Sequence, residues 1–128
     1  MKNHFANMIA TIKNGQLSKK AYVNQTRKKI CEFVLNILWD EGFISGYNVS
    51  NTNSNQLRIY LKYNNGKPAI TSIKLLTKPS LKLNYSLKQL WKINSSEGFL
   101  IISTDKGFMS INDCKKYKVG GVPFLIVK

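Results

Sequence analysis

Apolar positions along the chain follow two periods in turn. Phe5, Met8, Ile9 and Ile12 recur at i, i+3, i+4 and i+7, one face of a helix. Asn3 stands where an N-cap belongs, and Asn14-Gly15 is the predicted end. The segment 16–25 reads as a surface crossing. Thr26 is placed to cap a second helix whose stripe is Ile30, Phe33, Val34, Ile37 and Leu38, stopped by Gly42. From Phe43 the period drops to two. Residues 43–49 read as a strand and 50–56 as a polar hairpin loop. Leu57, Ile59, Leu61 and Tyr63 then point inward against Arg58, Tyr60 and Lys62. Asn65-Gly66 marks a turn, and 69–77 read as a third strand. Two helices on one face of a three-stranded antiparallel sheet follow from this half.

Pro79 fixes its own φ and extends its neighbour, which places a joint at 78–80. Beyond it, 81–85 read as a short strand, and 86–94 as a short helix or turn carrying Leu87, Leu90 and Trp91. Residues 98–104 read as a buried strand. Asp105-Lys106-Gly107 turns the chain, and 108–110 return. A short helix over 111–118 is capped by Asn112 or Asp113, Gly120-Gly121 close it, and 122–128 form a last strand. The expected class is α+β in two small lobes: an N-terminal α/β lobe over 1–77 and a β-rich lobe over 78–128.

Charge changes the picture from fold to partner. Of 128 residues, 43% are apolar, enough for a core, yet the formal net charge is +14. Up to Gly66 there are nine basic and three acidic residues; beyond it, eleven and three. The basicity is therefore spread through the fold rather than held in a tail, and the partner it points to is a polyanion, usually nucleic acid. A membrane surface is the competing polyanion, but the lysines sit on many elements rather than on one amphipathic helix. No apolar run reaches 18 residues, and the first fifteen show neither a signal-peptide core nor the serine content of a transit peptide.

The inventory for chemistry is thin. There is one histidine, His4. Glu32, Asp40 and Glu41 fall on one helix, where pairing or capping accounts for them. Ser103 has no evident base, and Asp105 beside Gly107 is typical of a turn. Cys31 and Cys114 stand 83 residues apart, outside any C-x-x-C pair, and read as reduced, buried thiols; a single histidine completes no zinc site. No catalytic residue, metal or cofactor is expected. A binder's inventory is present instead. Ser103 and Thr104 carry hydroxyls at a tight turn, and Lys106, Lys115, Lys116 and Lys118 stand beside them to neutralise phosphate. Gly107, Gly120 and Gly121 permit close backbone approach. Tyr85 and Tyr117 can stack on bases or pack.

Five motifs in order now carry a resemblance: "ANMIATIKNG", "WDEGFI", "LRIYLKY", "SIKLLTKPSLKL" and "GFLIISTDKGFMSINDCKKYKVGG". Over essentially its whole length the chain resembles the bacterial-type small-subunit ribosomal protein number eight family. The resemblance implies a non-catalytic protein that binds helical small-subunit ribosomal RNA in the central domain and assembles early into the platform. It implies neighbouring small-subunit proteins as further partners, with no small-molecule substrate. The family's Ser-Thr-Ser-x-Gly finger falls on Ser103, Thr104, Asp105, Lys106 and Gly107, so the third serine is here an aspartate. An N-terminal contact strip falls on Thr11, Lys13 and Asn14, and the entry to the second helix on Lys28 and Lys29. The joint supplies Lys78, Ser80, Lys82 and Tyr85. Lys115, Lys116, Gly120 and Gly121 complete the expected RNA-binding set.

Two departures bear on origin. The family's Pro-Gly-x-Arg joint reads Pro79, Ser80, Leu81 and Lys82, and the glutamate after the Gly-Gly pair is Val122. With 18 lysines and 14 asparagines, an AT-rich coding bias, these point to a mitochondrial member, with a plastid or bacterial cytoplasm as the alternative. The functional alternative is an RNA-binding regulator or RNA chaperone outside the ribosome.

Overall fold

The computed structural model describes residues 4–75 and 98–128, and it divides into two compact units, Met1–Ile70 and Thr71–Lys128. The expected boundary at 77/78, the Pro79 joint, the elements over 81–94 and the Asn3 cap lie outside the described residues.

The first unit runs α1 (His4–Leu17), β1 (Tyr22–Thr26), α2 (Lys29–Asp40), β2 (Ile44–Val49) and β3 (Gln56–Leu61), followed by the two-residue strands β4 (Tyr63–Asn64) and β5 (Lys67–Pro68). Phe5, Met8, Ile9 and Ile12 are buried, as their spacing predicts. α1 does not stop at Gly15. It continues to Leu17 and closes at Lys19, which takes the left-handed conformation at φ 53°. Gly15 sits inside the helix for a packing reason: a Cβ there would strike the Val23 side chain and come 3.0 Å from Leu61 Cδ1. Close approach of helix to sheet thus offsets the ~1 kcal/mol that glycine costs in a helix.

Three further expectations are corrected in this unit. The crossing over 16–25 contains a strand, β1, which pairs with β3 from Tyr22↔Tyr60 to Thr26↔Gln56. Its alternation is plain in burial (Val23 and Gln25 in, Tyr22, Asn24 and Thr26 out), but a buried glutamine hides it from a hydropathy pattern. Thr26 is held in that ladder and cannot cap α2. Lys28 occupies the cap position, in extended backbone and without a side-chain cap bond. Glu32 in the first turn complements the helix dipole and reaches Arg27 Nε at 3.5 Å. Finally, α2 buries Cys31, Val34, Leu35 and Leu38, while Ile30 is 43% and Phe33 54% exposed. The apolar stripe is wider than the face the sheet covers.

In the second unit the described elements are β6 (Ile73–Leu75), β7 (Phe99–Thr104), β8 (Gly107–Ser110), α3 (Ile111–Tyr117) and β9 (Val122–Val127), the strands forming one antiparallel sheet in the order β6-β9-β7-β8. The strand expected over 69–77 belongs here, not with the helices. Ile73 pairs with Val127 and Leu75 with Leu125, and the Thr71 hydroxyl donates to the Lys128 carbonyl at 3.0 Å. The first sheet is therefore β1-β3-β2. The α+β class, two helices with a three-stranded sheet beside a mostly β lobe, stands with that exchange of strands. β7 lies inside its sheet and buries Leu100, Ile101 and Ile102 in succession, as an interior strand must. Leu100 and Ile102 pack with Ile111 and Cys114 of α3. The cap of α3 is Ser110, whose hydroxyl accepts from the Asp113 N–H at 3.1 Å, rather than Asn112 or Asp113.

Candidate nucleic-acid interface

The β7–β8 hairpin pairs Ile101↔Ser110, Ile102↔Met109, Ser103↔Phe108 and Thr104↔Gly107, which leaves Asp105 and Lys106 alone at an exposed tip. Phe108 packs on Phe124 at 4.9 Å and ties β8 to β9 below the turn. Gly107 has φ 110°, a conformation that side chains rarely adopt, and a Cβ there would meet nothing within 4 Å. Its requirement is the turn itself.

The two hydroxyls at this tip have different surroundings. Thr104 Oγ1 donates to the Gly107 carbonyl at 2.7 Å and accepts from the Lys106 N–H at 3.1 Å. It closes the turn. Ser103 is half-buried, and its hydroxyl makes no hydrogen bond to the described residues. It is the donor left for a partner. Asp105 and Lys106 are exposed, and neither forms a salt bridge among the described residues. Gly121 supports the same spot from behind. It is buried, and a Cβ would strike the Ser103 carbonyl oxygen and come 2.8 Å from Ile102 Cγ2. The close approach that Gly121 permits is to this hairpin.

α3 packs on β7 and β8 and brings the lysines to the same unit. Lys115 and Lys116 occupy its last turn, where the dipole favours cations. Lys116 Nζ lies 5.4 Å from the ring of Tyr117, which is 57% exposed, and Lys118 ends the helix in the left-handed conformation. Ser103, Thr104, Asp105, Lys106, Gly107, Lys115, Lys116, Gly120 and Gly121 thus share one unit. Lys78, Ser80, Lys82 and Tyr85 lie outside the described residues.

The remaining predicted residues belong to the first unit. Thr11 and Asn14 line an open groove of about 730 Å³ between the end of α1 and β1, with Ser18, Lys20, Tyr22 and Asn24. Thr11 Oγ1 donates to the Asn7 carbonyl at 2.8 Å, which leaves it an acceptor toward the groove. Lys13 is exposed on α1 but does not line it, and Lys28 and Lys29 stand exposed at the start of α2. Lys20, Tyr22 and Asn24 escaped the sequence reading. The signal that could have found them is outward tyrosine and asparagine at period two in a segment taken for a loop.

Cys31 and Cys114 are buried, unpaired thiols, and burial pushes both above the ordinary thiol value. They stay protonated at neutral pH. Among the described residues, no three His, Cys, Asp or Glu side chains come together, and no helix is long and apolar enough to cross a membrane.

Residues 3–127 match the family model described as Ribosomal protein S8. Among curated relatives, the small ribosomal subunit protein uS8 of Blochmanniella pennsylvanica is 36% identical, covering 94% of this chain and 93% of its own. The small ribosomal subunit protein uS8c of Chlorella vulgaris is 35% identical, covering 91% of each. The uS8 protein of Pseudomonas paraeruginosa is 36% identical, covering 94% and 93%.

Proposed function

Because the chain belongs to the ribosomal protein S8 family over nearly its whole length, we propose that it binds the central domain of small-subunit ribosomal RNA, early in assembly of the platform. It is a structural constituent of the small ribosomal subunit. The observation that carries the finer reading is the β7–β8 tip, where an uncommitted Ser103 hydroxyl stands beside Lys106 in a chain of net charge +14.

The mechanism divides between position and recognition. Lysines place the protein on phosphates by counterion release, without regard to sequence. The Ser103 hydroxyl then reads an irregular RNA helix through hydrogen bonds to 2′-OH and base edges. Thr104 and Gly121 do not touch RNA in this scheme; they fix where Ser103 stands. Asp105 and Lys106 stand exposed side by side at the tip, and the lysine charge offsets that of the carboxylate toward phosphate. Lys78, Ser80, Lys82 and Tyr85 extend the RNA-reading half, and neighbouring small-subunit proteins cover other faces.

Catalysis and a cofactor have no part in this role. At the tip the Thr104 hydroxyl is spent closing the turn, no hydrogen bond joins the Asp105 carboxylate to the Ser103 hydroxyl, and His4, the one histidine, belongs to the other unit. A mitochondrial ribosome is the proposed location, supported by the lysine and asparagine bias and by Ser80, Lys82 and Val122 at family positions of other character. Sucrose-gradient sedimentation of fractionated organelle lysate tests both parts. The protein should travel with small subunits at physiological salt, in the mitochondrial fraction. Sedimentation with free protein would favour an RNA regulator or chaperone outside the ribosome, and recovery from plastids would move the location.

A further inference from the structure

The outward face of the β1-β3-β2 sheet carries a cluster that the hairpin reading leaves unused. Register sets Tyr22 opposite Tyr60, and sets Arg58 between Asn24 on β1 and Asn48 on β2. Arg58 Cζ stands 4.3 Å from the centroid of the Tyr22 ring. The Tyr60 ring lies 6.0 Å from that of Tyr22, tilted by 57°. Asn48 Nδ2 donates to the Tyr60 hydroxyl at 3.4 Å. Tyr22 is 40% exposed, and Arg58 and Tyr60 are half-buried.

Arg58 is the informative member. Its Nε is buried and has no hydrogen-bond partner, and no acid pairs with it among the described residues. The guanidinium lies over a tyrosine ring while its Nε stays unpaired. An outward sheet face that only meets water needs no such arrangement: arginine there would keep all its donors solvated. No outward position on these three strands carries Asp or Glu. The face therefore offers planar groups and positive charge together, the inventory for stacking a base and holding its phosphate. An A-form duplex keeps its bases stacked on each other, so the matching ligand is an unpaired nucleotide. The face is also continuous with the α1–β1 groove, because Tyr22 and Asn24 belong to both.

We propose that Tyr22, Arg58 and Tyr60 form a second RNA site, which stacks one unpaired nucleotide of the small-subunit RNA. The base lies on the Arg58–Tyr22 stack, the amides of Asn24 and Asn48 flank its edge, and Lys20 and the guanidinium take the phosphate. This rests on the ribosomal RNA reading above and adds a stacking site on the sheet face of the first unit to the contacts expected there at Thr11, Lys13, Asn14, Lys28 and Lys29.

The test uses the full chain and small-subunit RNA of the source organism transcribed in vitro, with affinity measured at fixed salt and protected nucleotides mapped chemically. Tyr22→Ala and Arg58→Gln should each weaken binding about tenfold, the scale of one lost base stack. Tyr22→Phe keeps the ring and should bind as the parent does. Arg58→Lys keeps the charge and loses the plane, and should fall between; it also serves if Arg58→Gln lowers the melting temperature. The nucleotides exposed in Tyr22→Ala should differ from those exposed in Ser103→Ala. Unchanged affinity and protection in Tyr22→Ala and Arg58→Gln, with Ser103→Ala weakened, would overturn the site and leave the hairpin intact. Full RNA affinity with loss from the assembled particle would assign the face to a protein neighbour and also overturn it. If the parent chain fails to bind the RNA at all, the ribosomal RNA reading fails and this site with it.

Discussion

Ser103 and Thr104 are adjacent, share a functional group and do different things. The Thr104 hydroxyl makes both hydrogen bonds that close the turn, and that of Ser103 makes none with the described residues. Ser103→Ala should therefore weaken RNA binding about fivefold, one hydrogen bond's contribution of roughly 1 kcal/mol, with an unchanged melting temperature. Thr104→Ala should destabilise the fold by about 1–2 kcal/mol and affect RNA through a displaced tip. Equal melting temperatures for the two variants would refute the division. The sequence identified the residue types of this finger, because hydroxyls, a lysine and a glycine at a turn are legible by spacing. It did not separate the two hydroxyls, since which one is spent internally depends on turn geometry. Gly121 is a similar case. Its glycine was legible, but the atom it makes room for, the Ser103 carbonyl, is supplied by pairing across the sheet.

Among the elements, α3 is seven residues long and depends on its ends. Ser110→Ala removes the one side-chain cap and should cost about 1 kcal/mol, read as a lower denaturant midpoint with unchanged m-value. Substituting Asn112 should have little effect, although both candidates within the helix looked suitable as a cap. Ser110 both ends β8 and caps α3, and its strand pattern masks the cap. Thr26 is the converse case: its pattern reads as loop and cap, but pairing with β3 makes it the end of a strand. The face of α2 failed for another reason. Seven of the nine residues from Ile30 to Leu38 are apolar, so periodicity gives no single centre, and the sheet chooses Cys31, Val34, Leu35 and Leu38.

For the whole molecule, charge makes the strongest prediction. If about six phosphates are engaged, the logarithm of the RNA affinity should fall against the logarithm of salt concentration with a slope of roughly −5. Filter binding across a salt series measures it, and a slope near zero would remove counterion release as the basis of binding. That net charge, the α+β class, the helix cores of α1 and the buried β7 were determined by the sequence alone, because each is a sum or a local period. Sheet membership was not. β1 and β6 exchange places relative to their reading because pairing joins segments far apart in the chain, Tyr22 with Tyr60 and Ile73 with Val127. The Tyr22–Arg58–Tyr60 cluster exists only through that pairing. Tertiary structure decided which polar groups are spent on the fold and which remain available, since a hydrogen-bonding group's availability depends on its neighbours in space.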